Sequence, residues 1–451
     1  MDLSKLTTHT LSTLPWGAKI PGILNAALQA VEPGDAVDQH MHRVGDQLII
    51  GEHPFDLSEY QRVLVIGAGK AGAPMVLAAA NILGNYLTQA LVIVKKGYIS
   101  AHENDQNMII LQAGHPIPDQ RGVEGTQRIL KLLQNSQPND LIICLISGGG
   151  SALLVSPVEG LSLEDLQSLT SNLLASGASI NEINTIRKHL SQVKGGNLAR
   201  LAAPAPLATL ILSDVVGDPL DVIASGPTVP DPTTFEDAHD ILQRYQIASP
   251  NITTVLQNRK SDIGETPKPG DSIFEDVYNV IIGSNRQAAQ AAIKRAQEEG
   301  FNTLLLTTYL QGEARQAGRF IGAIARQIAQ SDYPIPKPAC IVVGGETTVT
   351  LQGDGLGGRN TELALSAVEE ISGLNNVALV TLATDGGDGP TDAAGAVVTG
   401  ETLSRASQIG LKPAEYLARN DSYHFFEALD DLLKTGPTMT NVNDLAFLFA
   451  K

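Results

Sequence analysis

The sequence predicts an α/β protein of two domains built on mostly parallel sheets, the N-terminal one Rossmann-like. Three observations lead there. Strand-length runs of β-branched residues alternate with periodic Leu/Ala segments along most of the chain. Glycines cluster in short blocks after those runs, where open parallel sheets bind ligands. The length of 451 residues suits two or three domains.

The first expected strand is RVLVIGAG (62–69), followed by a helix from Pro74 to about Leu83. ALVIVKKG (90–97), MIILQAG (108–114), a helix near 122–134 and LIICLISGGGS (141–151) continue the alternation. Ser162 and Asp165 form a capping pair for a helix whose Leu163, Leu166, Leu169 and Leu173 share a face. A longer helix is expected over 181–202, then the strand LATLILSD (207–214). After the turn-rich 225–235, strand and helix patterns restart at 277 and run to 387. The polar stretch near 250–275 is the best boundary candidate, and the domains are taken as 1–240 and 241–451.

Composition narrows the function. A net charge of −17 argues against a duplex nucleic-acid binder, which ordinarily carries a basic face. Aromatic residues make up only 4%, too few for stacking platforms. The apolar run near 141 is strand-length and cannot span a bilayer, and no signal peptide is visible at the N-terminus. Cys144 and Cys340 sit in apolar runs and read as buried, reduced thiols. A cytoplasmic protein without membrane or nucleic-acid partners is therefore expected.

The chemistry-bearing motifs are glycine loops, placed cations and strand-end carboxylates. Gly67-Ala68-Gly69-Lys70-Ala71-Gly72 matches G-x-G-x-x-G between a strand and a helix. A tight turn without a ligand satisfies the same pattern. Dinucleotide binding would want an acidic residue at the end of the second strand, where Lys95 and Lys96 stand. Ser147-Gly148-Gly149-Gly150-Ser151 fails the serine-hydrolase elbow, because Leu153 stands where its last glycine belongs, and suits an amide-lined anion site. Arg187, Lys188 and Lys194 place three cations within eight positions, read either as a solvated helix face or as a substrate-anion site. Helical spacing would put Arg187, Ser191 and Lys194 on one face.

Asp214 and Asp218 close a strand, where carboxylates suit Mg²⁺ or proton abstraction and where an Asx-turn is the ordinary alternative. Gly344-Gly345-Glu346 and Gly357-Gly358-Arg359 form the densest glycine region, with Arg359 just before a helix start. Asp385 and Asp388 follow the next strand in a loop that is not an EF-hand, since Ala396 takes the place of its final glutamate. Walker A and zinc-ligand spacings are absent. These parts suit phosphoryl transfer, which needs positioning and charge neutralisation more than covalent chemistry.

The blocks GAGKAGAPM, AGHPIPD, ISGGGSALL, INTIRKHLSQVKGGNLA, LSDVVGDPLDVIASGPT, GGETTVTL, GLGGRNTELAL, TDGGDGPTDAAGA and TGPTMTNVNDLAFL occur in the order seen in class II glycerate 2-kinases. From about residue 60 onward the chain resembles that family, whose C-terminal part is the MOFRL domain. The resemblance implies two α/β domains with the active site in the cleft between them. It also implies transfer of the ATP γ-phosphoryl group to the 2-hydroxyl of D-glycerate, with Mg²⁺ or another divalent cation. Lys70, Asp214 and Arg359 take the family's catalytic positions. His115, Arg187, Lys188 and Lys194 become candidates for the substrate. Asp214, Asp385 and Asp388 become candidates for the metal, and the glycine loops with Ser147, Ser151 and Glu346 for the nucleotide. Thr361, Gly387 and Met439 depart from the family pattern. The alternatives are an NAD(P)-dependent hydroxypyruvate reductase and a non-catalytic nucleotide-binding module. Oligomeric state is left open.

Overall fold

The computed structural model describes residues 2–98, 107–247, 249–258 and 264–451. Residues 259–263, part of the stretch expected to hold the boundary, lie outside the described residues. The chain divides into two compact units, Pro33–Ile282 and Met1–Glu32 with Gly283–Lys451. The division expected at 240/241 falls inside helix Phe235–Arg244 and is corrected to 282/283. The first 32 residues join the later unit, an assignment that rests on packing and leaves no mark in composition.

In the Pro33–Ile282 unit, β1 (Met41–Val44), β2 (Gln47–Ile50) and β3 (His53–Asp56) form an antiparallel meander that the sequence reading did not expect. Each is four residues long, too short for a period-2 signal to stand out. The main sheet contains β4 (Arg62–Ala68), β5 (Leu87–Lys95), β6 (Met108–Ala113), β7 (Asp140–Ile146), β8 (Leu207–Leu212) and β9 (Val277–Gly283). Its order is β6-β5-β4-β7-β8-β9, and every pairing from β6 through β8 is parallel. β7 and β8 are buried along their whole length, which is why they read as unbroken apolar runs. The connections reverse direction between β4 and β7, the kind of switch point where open α/β sheets bind ligands.

Helices α1 (Gly72–Leu83) and α2 (Gln120–Leu133) follow β4 and β6, and the single turn α3 (Gly150–Leu153) follows β7. The helix expected over 181–202 is two helices, α4 (Ile180–His189) and α5 (Asn197–Ala202). α4 stops at His189 and Ser191 is bridged to Pro157, so Ser191 and Lys194 lie beyond the helix and do not share a helical face with Arg187. Gly195 and Gly196, at φ of +56° and +83°, turn the chain into α5.

The other unit carries α6 (Asn285–Glu298), β10 (Asn302–Leu310), α7 (Ala314–Ser331), β11 (Ala339–Gly345), α8 (Arg359–Ile371), β12 (Val377–Ala383), β13 (Gly395–Thr399), β14 (Leu432–Leu433) and β15 (Asp444–Ala450). Its sheet order is β10-β11-β15-β12-β13-β14. Here the expectation of a mostly parallel sheet is corrected. Only β10 and β11 run parallel, because β15 inserts between β11 and β12 antiparallel to both, and β13 and β14 extend the sheet with further antiparallel pairings. Helix Ile20–Gln29 packs on α6, and Trp16 lies 6.2 Å from the rings of both Phe301 and Phe449. Asp431 accepts from the amide and hydroxyl of Thr10 at 3.1 and 2.7 Å, fixing the N-terminal segment further.

Cys144 and Cys340 are free and buried, and burial raises both thiols above their ordinary range. No helix among the described residues is long and apolar enough to cross a membrane.

Phe449 is fully buried, and its ring meets those of Trp16 and Phe301. Phe449→Ala should cost about 3–5 kcal/mol. Trp16 is the only tryptophan, so its fluorescence in a denaturant titration follows this unit directly; an unchanged midpoint would contradict the packing.

Candidate active site

In the Pro33–Ile282 unit the loops after β4 and β7 cross at the switch point. A Cβ on Gly67 would lie 2.2 Å from the Leu145 carbonyl oxygen, and one on Gly69 would lie 2.0 Å from Ser147 Oγ. The Lys70 amide donates to the Gly148 carbonyl at 2.8 Å, and the Ala71 amide to Ser147 Oγ at 3.0 Å. These glycines thus answer first to the chain's own backbone. Gly150 packs against Ala224, where a Cβ would meet its methyl at 2.9 Å.

Gly149, at φ +83°, faces the His115 ring: a Cβ there would sit 2.8 Å from Cδ2 and 3.5 Å from Lys70 Cγ. The three residues converge on one place. Burial, then the charges of Lys70 and Lys95, push the His115 imidazole down to about 4, so it is neutral at ordinary pH. Among the described residues its buried Nδ1 has no hydrogen-bond partner, which suits it to a ligand group. Asp214 follows β8 at the same end of the sheet and is half-buried.

The three candidate cations separate. Lys188 is buried and held between Asp221 and Asp231, each at 3.3 Å. Lys194 is buried and donates to the carbonyls of Ser151 and Leu154 at 2.7 and 3.0 Å, fastening α3. Burial and Arg187 push its ammonium down to about 7. These two lysines are committed inside the protein, which corrects their assignment to the substrate. Arg187 is half-buried, and its one hydrogen bond among the described residues is to Thr170 Oγ1 at 3.5 Å. The neighbouring His189 is tied to Glu265 at 2.9 Å.

In the other unit, Arg359 opens α8. Its Nε lies 2.5 Å from Asp444 and its Nη1 2.5 Å from Glu346. Both carboxylates raise the guanidinium further, while burial pushes the Asp444 carboxyl up to about 7 against the pull of Arg359. Asp444 starts β15, and its carbonyl and that of Val442 accept from Asn285 Nδ2 at 2.9 Å each. Gly344 and Gly345 end β11; a Cβ on Gly344 would lie 1.8 Å from Asn285 Oδ1. Asn285 and Asp444 are the residues sequence reasoning missed here. Asp444 lies inside the quoted TGPTMTNVNDLAFL block, while Asn285 carries no motif at all.

Asp388 corrects a further expectation. It is buried, and its oxygens accept from the Asn360 and Thr361 amides at 2.9 and 2.8 Å and from Thr361 Oγ1 at 2.8 Å. It caps α8 across space, so its oxygens are taken up by the Asn360 and Thr361 groups and not free for a metal. A Cβ on Gly358 would lie 2.4 Å from Asp388, and one on Gly357 2.2 Å from Ser422 Oγ. Asp385 is half-buried and accepts from the Gly387 amide at 3.2 Å. Among the described residues no group of three or more His, Cys, Asp or Glu side chains could by itself hold a metal ion.

Asp388→Ala strands two buried amides and should cost about 1–3 kcal/mol, read as a lower denaturation midpoint. A change in metal dependence at unchanged stability would restore Asp388 to the metal. For Lys194 the unfolded chain keeps a proton that the folded one releases above about pH 7. Stability therefore gains with rising pH between about 7 and 10, by up to ~1.4 kcal/mol per unit. Urea midpoints across that range should show the gain in the native protein and lose it in Lys194→Met.

Residues 19–257 match the family described as a domain of unknown function (DUF4147), and residues 339–444 match the MOFRL family. The chain is 43% identical over 423 residues to a D-glycerate 2-kinase of Thermotoga maritima, covering 94% of this chain and 95% of that one. It is 42% identical over 386 residues to a putative hydroxypyruvate reductase of Agrobacterium vitis, covering 85% and 86%. A crystal structure of a glycerate kinase from Thermotoga maritima superposes with a TM-score of 0.86 at 42% identity, over 95% of this chain and 98% of that one. With two family segments in order and this identity along nearly its whole length, the chain belongs to the glycerate 2-kinase family that carries a MOFRL domain.

Proposed function

We propose that the protein transfers the γ-phosphoryl group of ATP to the 2-hydroxyl of D-glycerate, giving 2-phosphoglycerate and ADP. The observation that carries this is the 43% identity, over 94% of the chain, to a protein named for that reaction. A new bond forms between the 2-hydroxyl oxygen and the γ-phosphorus, and the bond to the β–γ bridging oxygen breaks as ADP leaves. The chemistry then asks for cations near the transferring group and a carboxylate for the hydroxyl proton.

Lys70 and Arg359 take the first role in this reading, and Asp214 the second. Two carboxylates already orient the Arg359 guanidinium, so little side-chain entropy is left to lose when it meets a phosphoryl oxygen. Neutral His115 offers a ring nitrogen to a substrate hydroxyl beside Lys70. A divalent cation bound with ATP would offset phosphate charge and would need only one or two protein carboxylates. With Asp388 spent, Asp214 and Asp385 are the candidates that remain for it.

A reductase reading draws on the Agrobacterium vitis relative's name. Against it, β5 ends on Lys95, where a dinucleotide fold places the acidic residue that binds a ribose. An assay of ADP release with D-glycerate, ATP and Mg²⁺, with the product identified by phosphorus NMR, separates the two. NADPH consumption with hydroxypyruvate and no ADP would give the site to the reductase. Lys70→Ala and Arg359→Ala should each lower turnover by about 10²–10³, equivalent to about 3–4 kcal/mol. A loss under about tenfold per folded enzyme would remove that residue from the transition state.

A further inference from the structure

We propose that Arg187 is the receptor for the carboxylate of the acceptor substrate, and that it selects a 2-hydroxy acid over an uncharged polyol. The proposal rests on the kinase reading for its substrate. Its physical basis is local to the Pro33–Ile282 unit.

A guanidinium taken out of water needs a counter-charge, because it cannot shed its proton to relieve the cost. The protein observes this elsewhere. Lys188, the next residue, lies between two aspartates, and Arg359 between two carboxylates. Arg187 breaks the pattern: among the described residues its only partner is the Thr170 hydroxyl at 3.5 Å. Its charged neighbour is Lys194, which adds like charge, and burial lowers both cations. Two cations thus share a partly dry place in which no carboxylate of the described residues pairs with either.

The neutral groups around them are hydroxyls and an amide. Ser151, whose carbonyl holds Lys194, shares a hydrogen bond with Ser225 Oγ at 2.8 Å. Ser225 Oγ in turn lies 3.2 Å from Asn184 Oδ1, three residues before Arg187 on α4 and on the same side of the helix. Ala224 and Ser225 hold φ of +50° and +62°, a left-handed pair of non-glycine residues and so a strained one. The fold bears that strain to hold the Ser225 hydroxyl beside Ser151 and Asn184. A bidentate acceptor for a guanidinium, flanked by hydroxyl partners, describes a small hydroxy-carboxylate. A nucleotide phosphate has the same acceptor chemistry, and the test separates the two.

Arg187→Met and Arg187→Lys are compared with the native enzyme for the KM of D-glycerate, the KM of ATP, and Tm without substrates. The expected result for Arg187→Met is a rise of about 100-fold in the D-glycerate KM, with the ATP KM within about twofold. Arg187→Lys should recover part of that loss. The Tm of Arg187→Met should hold or rise, since the substitution removes a charge that the empty protein leaves unbalanced. A D-glycerate KM within about threefold of native overturns the proposal, and so does a rise in the ATP KM instead. A fall in Tm with unchanged KM values overturns it in favour of a structural role. If the native enzyme shows no glycerate-dependent ADP release, the kinase reading fails first. Calorimetric binding of D-glycerate to native protein and Arg187→Met then decides this proposal separately: binding lost only in the variant upholds it, and equal binding or none to either overturns it.

Discussion

Backbone crowding at the strand ends governs this molecule. In one unit the loops after β4 and β7 cross so closely that a single added carbon at Gly67 or Gly69 would strike the opposite chain. In the other, Gly344 and Gly358 are pressed against Asn285 and Asp388 in the same way. The glycine blocks are a packing requirement before they are a binding surface, and the requirement has a chemical by-product. Loops that cannot move away from each other hold Lys70, His115 and Gly149 together and leave α8 capped by Asp388, so the surrounding groups are positioned before any ligand arrives.

Charge is handled with the same economy. The described residues pair most of their buried cations internally, and each pair does structural work. Lys188 joins α4 to Asp221 and Asp231, and Arg359 joins α8 to β15 through Asp444. Removing one partner of such a pair strands the other, which makes the pairs costly to break even where forming them gains little net stability. His115 is the complementary case, kept neutral by burial and by two nearby lysines.

Much of this was legible from residue order. The alternation of apolar runs located β4 to β8 because parallel strands buried on both faces read as continuous hydrophobic segments. The glycine blocks marked the strand ends because close approach there excludes any side chain. What failed had a different physical origin. The β1–β3 meander lies below the length at which alternation shows. The insertion of β15 between β11 and β12 is set by long-range pairing, which no local pattern encodes. The aspartates that neutralise Lys188 lie 33 and 43 residues away from it, so a cluster that looked like an anion site in sequence is split by partners visible only in space. Asp388 was read as a metal ligand for the same reason: the amides it caps lie 28 and 27 residues earlier in the chain.

The division of the chain also has a consequence for its synthesis. The unit that ends the chain begins with residues 1–32, is interrupted by 250 residues of another unit, and is closed by β15 at its centre. At roughly 5–20 residues per second, the N-terminal segment waits on the order of 20–80 s before Phe449 exists for Trp16 to pack against. Until residues 285–301 are made, Ile23, Leu24 and Trp16 have neither α6 nor Phe301 to pack against, and by then every strand of the intervening unit is already present. The topology therefore makes the strands of the middle of the chain available before the two ends of the other unit can meet.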